Sequence, residues 1–187
     1  MAVKGKLGVA LATVGLVALV PATASAEERT CRGTIGATTL DNVRVPQGAE
    51  CALNGTRVQG TVKVERNATL RANGVRVIGN VQGENARRVN VINSSRVGGS
   101  VQVVQGGAAK VADSSVTGTV LYDDNAAFLE ILRNRVNGDV QAFQNTGGVQ
   151  ISRNVIGGNL QCKENRPRPT GGGNVVQGNK EDQCARL

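Results

Sequence analysis

The chain has 187 residues, 22 basic and 14 acidic side chains, no histidine, four cysteines and only three aromatic residues, Tyr122, Phe128 and Phe143. So few large rings exclude a conventional aromatic-rich core and make base-stacking recognition of nucleic acid an unexpected role. Histidine-based catalysis is excluded outright, and the net charge of +8 suits either polyanionic partners or plain solubility.

Residues 1–26 read as a secretory leader. Lys4 and Lys6 precede an apolar run at 7–20, Pro21 breaks it, and Ala24-Ser25-Ala26 supplies small residues for cleavage. Fourteen apolar residues are too few to span a bilayer. The expected mature chain is 27–187, a single domain with 20 basic and 14 acidic side chains, a net +6. No later stretch is apolar enough to cross a membrane, so the expected location is extracellular.

The segment 30–49 is expected to form the first coil and its cap, with a strand near 43–45 and a turn at 46–48. From there the chain repeats. "RVQGTVKV" at 57–64 returns as "RVIGNVQG" at 76–83, "RVGGSVQV" at 96–103 and "RVNGDVQA" at 135–142. The central glycines are Gly60, Gly79, Gly99, Gly118, Gly138, Gly158 and Gly178, in steps of 19 or 20. Two residues before each stands Val or Ile; two residues after stands Val or Leu until Lys180 ends the series. Apolar–polar alternation marks strands, because successive side chains take opposite faces. One such unit cannot bury its apolar face, whereas stacked units can. The expected fold is therefore all-β: a right-handed parallel β-helix of about seven coils, roughly 30–35 Å long at one strand spacing per coil, its hand following the general crossover preference. Leucine-rich repeats need more leucine than is present.

Asparagines follow the same period. Asn67, Asn125, Asn145 and Asn165 lie seven after a central glycine, and Asn134, Asn154 and Asn174 four before the next. They suit turns and coil-to-coil amide ladders. "NGT", "NAT" and "NSS" at 54, 67 and 93 fit the N-glycosylation pattern but read mainly as turn chemistry.

Three residues before the central glycines stand Arg57, Arg76, Arg96 and Arg135, interrupted by Ser115 and ended by Val155. Three after stand Lys63, Gln82, Gln102, Leu121, Gln141 and Gln161. Outward arginines one coil apart repel unless anions intervene. Together the columns are expected to form a stripe for sulfate, phosphate or carboxylate groups along a polymer. The alternative is that the arginines pair with local acids such as Glu65 and Glu84.

Five after the glycines the column reads Glu65, Glu84, Val104, Asp123, Phe143, Lys163, with Asp124 beside Asp123. Val104 interrupts the carboxylates, so a calcium cluster of six to eight oxygens is not expected. A two-carboxylate glycosidase using Asp123, Asp124 or Glu84 is the catalytic alternative. No P-loop, GxSxG or dinucleotide fingerprint is present. Without histidine or CxxC, no metal or cofactor is expected.

The cysteines suit two disulfides. Cys31 and Cys51 are 20 apart and Cys162 and Cys184 are 22 apart, each about one coil. Other pairings would join opposite ends of the rod, beyond the ~7 Å that a disulfide allows. Each bridge is worth roughly 3 kcal/mol in the chain-entropy model. "KENRPRPTGGG" at 163–173 reads as a loop held by the second bridge, and Lys180-Glu181-Asp182 as a charged stop against end-to-end stacking.

"GGNLQCKENRPRPTGGGNVVQGNKEDQC" at 157–184 and "DNVRVPQGAECALNGTRVQGTVKV" at 41–64 resemble the two ends of small secreted proteins of actinomycete bacteria. The resemblance implies secretion and a right-handed β-helix and brings no activity. More distantly, the coil pattern is similar to the pectate-lyase-like superfold. There acidic residues hold calcium beside an arginine base, or aspartates work with a histidine motif; this chain lacks the histidine and interrupts the acids. The expected role is therefore a secreted, non-catalytic one: structural, adhesive, or binding cell-wall or other anionic polysaccharide. A polysaccharide lyase or hydrolase and a self-assembling coat component are the alternatives. The sequence carries no direct sign of an oligomer.

Overall fold

The computed structural model describes residues 1–2 and 27–187. The apolar run at 7–20 and Ala24-Ser25-Ala26 of the expected leader lie outside the described residues. The rest is an all-β parallel solenoid of about eight turns. Each turn carries three strands, as in Val81–Glu84, Arg88–Ile92 and Arg96–Val97. Equivalent strands stack into three parallel sheets of nine, eight and eight strands. These are called here the first, second and third sheets, in the order the chain visits them.

The alternation sets which side chains face inward. Val58, Val77, Val97, Val116, Val136 and Ile156 form one buried column, and Val62, Val81, Val101, Val120, Val140 and Leu160 another. β-branched side chains suit these short strands, because their restricted rotamers pack well on a pleated surface. The columns pair in register from turn to turn, as Val81 does with Val62 and Val101.

The extra turn comes from the N-terminal segment. Glu28–Thr30, Gly33–Ile35 and Thr39–Leu40 already make one turn, paired to Asn42–Val45, Glu50–Asn54 and Arg57–Val58. The expected first coil at 30–49 thus spans parts of two turns. Its strands are mostly exposed, so they show little hydrophobic alternation. Backbone pairing and the Cys31 bridge hold them instead. The strand expected near 43–45 is present as Asn42–Val45.

Both disulfides join neighbouring turns, with Cα separations of 5.6 Å for Cys31 to Cys51 and 5.2 Å for Cys162 to Cys184. Two such bridges point to an oxidising environment. The loop expected at 163–173 is shorter than that. Thr170–Gly172 is a strand, paired to Val149–Ser152. The charged stop is also a strand: Lys180–Asp182 pairs with Leu160–Lys163 and is the last in the first sheet. Parallel pairing uses backbone groups alone, so charged side chains did not prevent one more rung.

Polar ladders close the corners between sheets. Asn125 Nδ2 donates to Asn145 Oδ1 at 3.0 Å, and Asn145 Nδ2 to Asn165 Oδ1 at 2.8 Å. A second ladder runs from Asn134 to Asn154 to Asn174 at 3.1 and 2.9 Å. All six side chains are buried. Asn67 does not join them, although it shares their spacing from the glycine. It sits exposed at φ 55°, with Asn85 above it at φ 53°, where asparagine is favoured for tolerating a left-handed turn.

The central glycines mark a corner where successive turns come into close backbone contact. A Cβ on Gly79 would stand 2.6 Å from the Gly60 carbonyl oxygen, and one on Gly138 2.7 Å from that of Gly118. The following residue forms a third ladder. Asn80 Oδ1 accepts the Ser100 amide at 2.8 Å, and Asp139 Oδ1 that of Asn159 at 2.7 Å. The signal was present in the sequence as an unbroken series of Thr, Asn, Ser or Asp after the glycine.

Candidate functional site

The third sheet carries the arginine column. Arg57 pairs in register with Arg76, Arg76 with Arg96, Arg96 with Ser115, and Ser115 with Arg135. All four arginines are exposed. Successive rungs of a sheet lie about 4.8 Å apart, so three cations stand in line at one-rung steps. Among the described residues, none of the four takes part in an ion pair.

The alternative pairing with Glu65 and Glu84 is not what the structure shows. Glu65 accepts from Arg44 Nη1 at 3.1 Å and from the Gln47 amide. Both acids belong to the first-sheet side of the coil, around the glycine corner from the arginines. The Arg44 hydrogen bond holds the Glu65 carboxyl below its ordinary range.

Ser115 is not merely a gap. Arg96, Ser115 and Arg135 line one shallow depression of about 320 Å³, together with Ser94, Ser114 and Arg133. Arg133 is committed there by a two-pronged contact with Asp113, at 2.6 and 2.7 Å. That contact lowers the Asp113 carboxyl and raises the guanidinium. Two uncommitted guanidiniums thus flank a serine hydroxyl, a donor set suited to a tetrahedral or planar oxyanion. Beyond Arg135 the column turns apolar, with Val155 and Val175 exposed in register.

The glutamines lie elsewhere. Gln82, Gln102, Leu121, Gln141 and Gln161 follow one another on the first sheet. They are largely spent on each other. Gln82 donates to Gln102 at 3.4 Å, Gln141 to Gln161 at 2.8 Å, and Gln161 to Glu181 at 2.8 Å. Gln82 and Gln102 share a depression of about 640 Å³ with Lys63, Glu65, Glu84 and Leu121, and no member of the arginine column lines it. The arginine and glutamine columns occupy adjacent faces rather than one groove.

The acids of the catalytic alternative are only partly brought together. Glu84 pairs in register with Val104, and Val104 with Asp123, which puts two rungs, about 10 Å, between the carboxylate-bearing positions. Asp124 is exposed at φ 54°. Asp123 Oδ1 is buried without a hydrogen-bond partner. Burial first, and the Asp124 charge second, push the Asp123 carboxyl above its ordinary range. Among the described residues no three His, Cys, Asp or Glu side chains gather as a metal site.

A raised folded-state proton affinity means that the folded protein holds the Asp123 proton more tightly than the unfolded chain. Stability then falls as pH rises through the window between the two. Asp123→Asn should therefore raise Tm slightly at neutral pH, and the advantage should vanish once the wild-type carboxyl is protonated. Melting curves across acid to neutral pH check this; an equal gain at every pH would contradict it.

No family model, no curated protein and no solved structure matches the chain.

Proposed function

We propose that the protein is a secreted, non-catalytic β-solenoid that binds an anionic polymer along Arg57, Arg76, Arg96 and Arg135. The observation that carries this is the register of these exposed arginines on one sheet, with a Ser115 hydroxyl seated between two of them. Closely spaced like charges without acidic partners cost free energy in the free protein, and a polyanion relieves that cost. Kinship with the small secreted actinomycete proteins, a right-handed coil, and a place at the bacterial surface belong to the same proposal; the two disulfides support an extracellular setting.

Co-sedimentation with teichoic-type polymers, polyuronates and other wall polysaccharides at low and moderate salt tests it. Salt-sensitive binding to one class is expected. The double variant Arg76→Ala/Arg96→Ala should weaken it about tenfold, as loss of charge-assisted contacts does, and flatten the salt dependence. Retention of the wild type in the supernatant with every polymer would overturn the reading.

Asp123 favours a second reading. A carboxyl with raised proton affinity is a candidate general acid, and a polysaccharide hydrolase or lyase acting there should release reducing ends or unsaturated products. Activity lost in Asp123→Asn would establish that reading over the first.

A further inference from the structure

We infer that the outer face of the second sheet carries a separate small-molecule site, between Arg88 and Phe128, for a flat aromatic ring bearing an acid group. The site lies on a different sheet from the arginine column and does not depend on the polymer reading.

The register builds the slot. Glu50, Thr69, Arg88 and Ala108 follow one another on successive strands. Ala109 pairs with Leu129, so Phe128 stands next in line after Ala108. Arg88 and Phe128 are therefore two rungs apart, about 10 Å, with only a methyl group between them. The result is a depression of about 400 Å³ whose lining includes Arg71, Arg88, Asn90, Ala108, Phe128 and the Lys110–Glu130 pair. An aromatic ring can take an offset-stacked neighbour at about 5 Å, so one ring fits between the phenyl group and the guanidinium.

Phe128 is 51% exposed in a chain with three aromatic residues. Its ring leans on the next turn: a Cβ built on Gly148 would stand 3.3 Å from it. It is thus braced on one side and lines the open depression on the other.

The charges around the slot are unevenly committed. Lys110 is held by Glu130 at 3.1 Å, and Arg87 by Glu50. Among the described residues, Arg71 and Arg88 take part in no ion pair, and both are exposed. A ring above Ala108 would show one π face to Phe128 and the other to Arg88, both favourable. Its acid group would be within reach of two free guanidiniums, with the Asn90 amide beside it. A saturated ring has no π face for the guanidinium and should bind less well.

Titration of the ¹⁵N-labelled protein with benzoate, cyclohexanecarboxylate, acetate and glucuronate tests the site. Benzoate should shift the amides of Asn90, Ala108 and Phe128 with Kd on the order of 1 mM. Cyclohexanecarboxylate should bind about fivefold more weakly, and acetate more weakly again. Phe128→Ala should weaken benzoate about fivefold and erase the preference for the flat ring. Arg88→Ala should weaken it about tenfold, and Arg29→Ala, an exposed arginine of the N-terminal turn, should leave benzoate binding unchanged. Both side chains are exposed, so the variants should keep a dispersed spectrum. Equal binding of benzoate and cyclohexanecarboxylate, tighter binding of glucuronate, unchanged benzoate binding in Phe128→Ala, or no localised shifts would each overturn the proposal.

Discussion

Asn154→Ala should destabilise the protein by about 3–5 kcal/mol, the cost of stranding several buried polar groups at once. Asn154 is fully buried. Its Oδ1 accepts the Asn134 backbone amide at 2.9 Å and the Asn134 side-chain amide at 3.1 Å. Its Nδ2 donates to the Ile131 carbonyl at 2.8 Å and to Asn174 Oδ1 at 2.9 Å. An alanine removes all four bonds and leaves their partners facing an apolar interior. Asn73→Ala is the control. That side chain also belongs to an asparagine ladder, accepting from Asn93 at 2.8 Å and donating to Asn54 at 3.4 Å, but near solvent. Water can replace those partners, so its loss should stay below about 1 kcal/mol. Urea denaturation of the two variants compares them directly. Equal losses would mean that burial does not set the value of a rung.

The contrast between those ladders also marks what the sequence could reveal. Period alone shows which side chains point inward, since alternation on a strand admits two faces only. The buried valine columns, the stacking and the disulfide partners were legible for that reason. Period does not show how sharply the chain bends between strands. Asn67 and Asn125 sit at the same distance from their glycines, yet one occupies an exposed left-handed turn and the other the interior. The same blindness joined Arg76 and Gln82 into one stripe, although a glycine corner puts them on different sheets. Ser115 looked like a break in the arginines until the walls around it were visible. The site at Phe128 was hidden for a related reason: Arg88 and Phe128 are 40 positions apart in the chain, and only the register makes them neighbours across Ala108. The turn at 28–40 stayed hidden because it pairs through its backbone and buries little.

Gly79→Ala should destabilise at or above the top of the ~1–3 kcal/mol range for overpacking, because the added methyl has nowhere to go. Its Cβ would stand 2.6 Å from the Gly60 carbonyl oxygen and 2.9 Å from the carbonyl carbon. Both belong to backbone that is hydrogen-bonded in place, since the Gly79 amide donates to that same oxygen at 3.0 Å. A flexible side chain could swing aside, but a rung of the solenoid cannot move without lifting the turns stacked on it. Gly36→Ala should do the opposite. Nothing lies within 4 Å of a Cβ there, and the residue is exposed. Alanine then mainly restricts the unfolded chain, which should stabilise by about 0.4–1 kcal/mol. The same substitution thus changes sign between two glycines of one chain. If Gly79→Ala proved as mild as Gly36→Ala, close contact between turns could not be the reason that glycine recurs at this corner of every repeat.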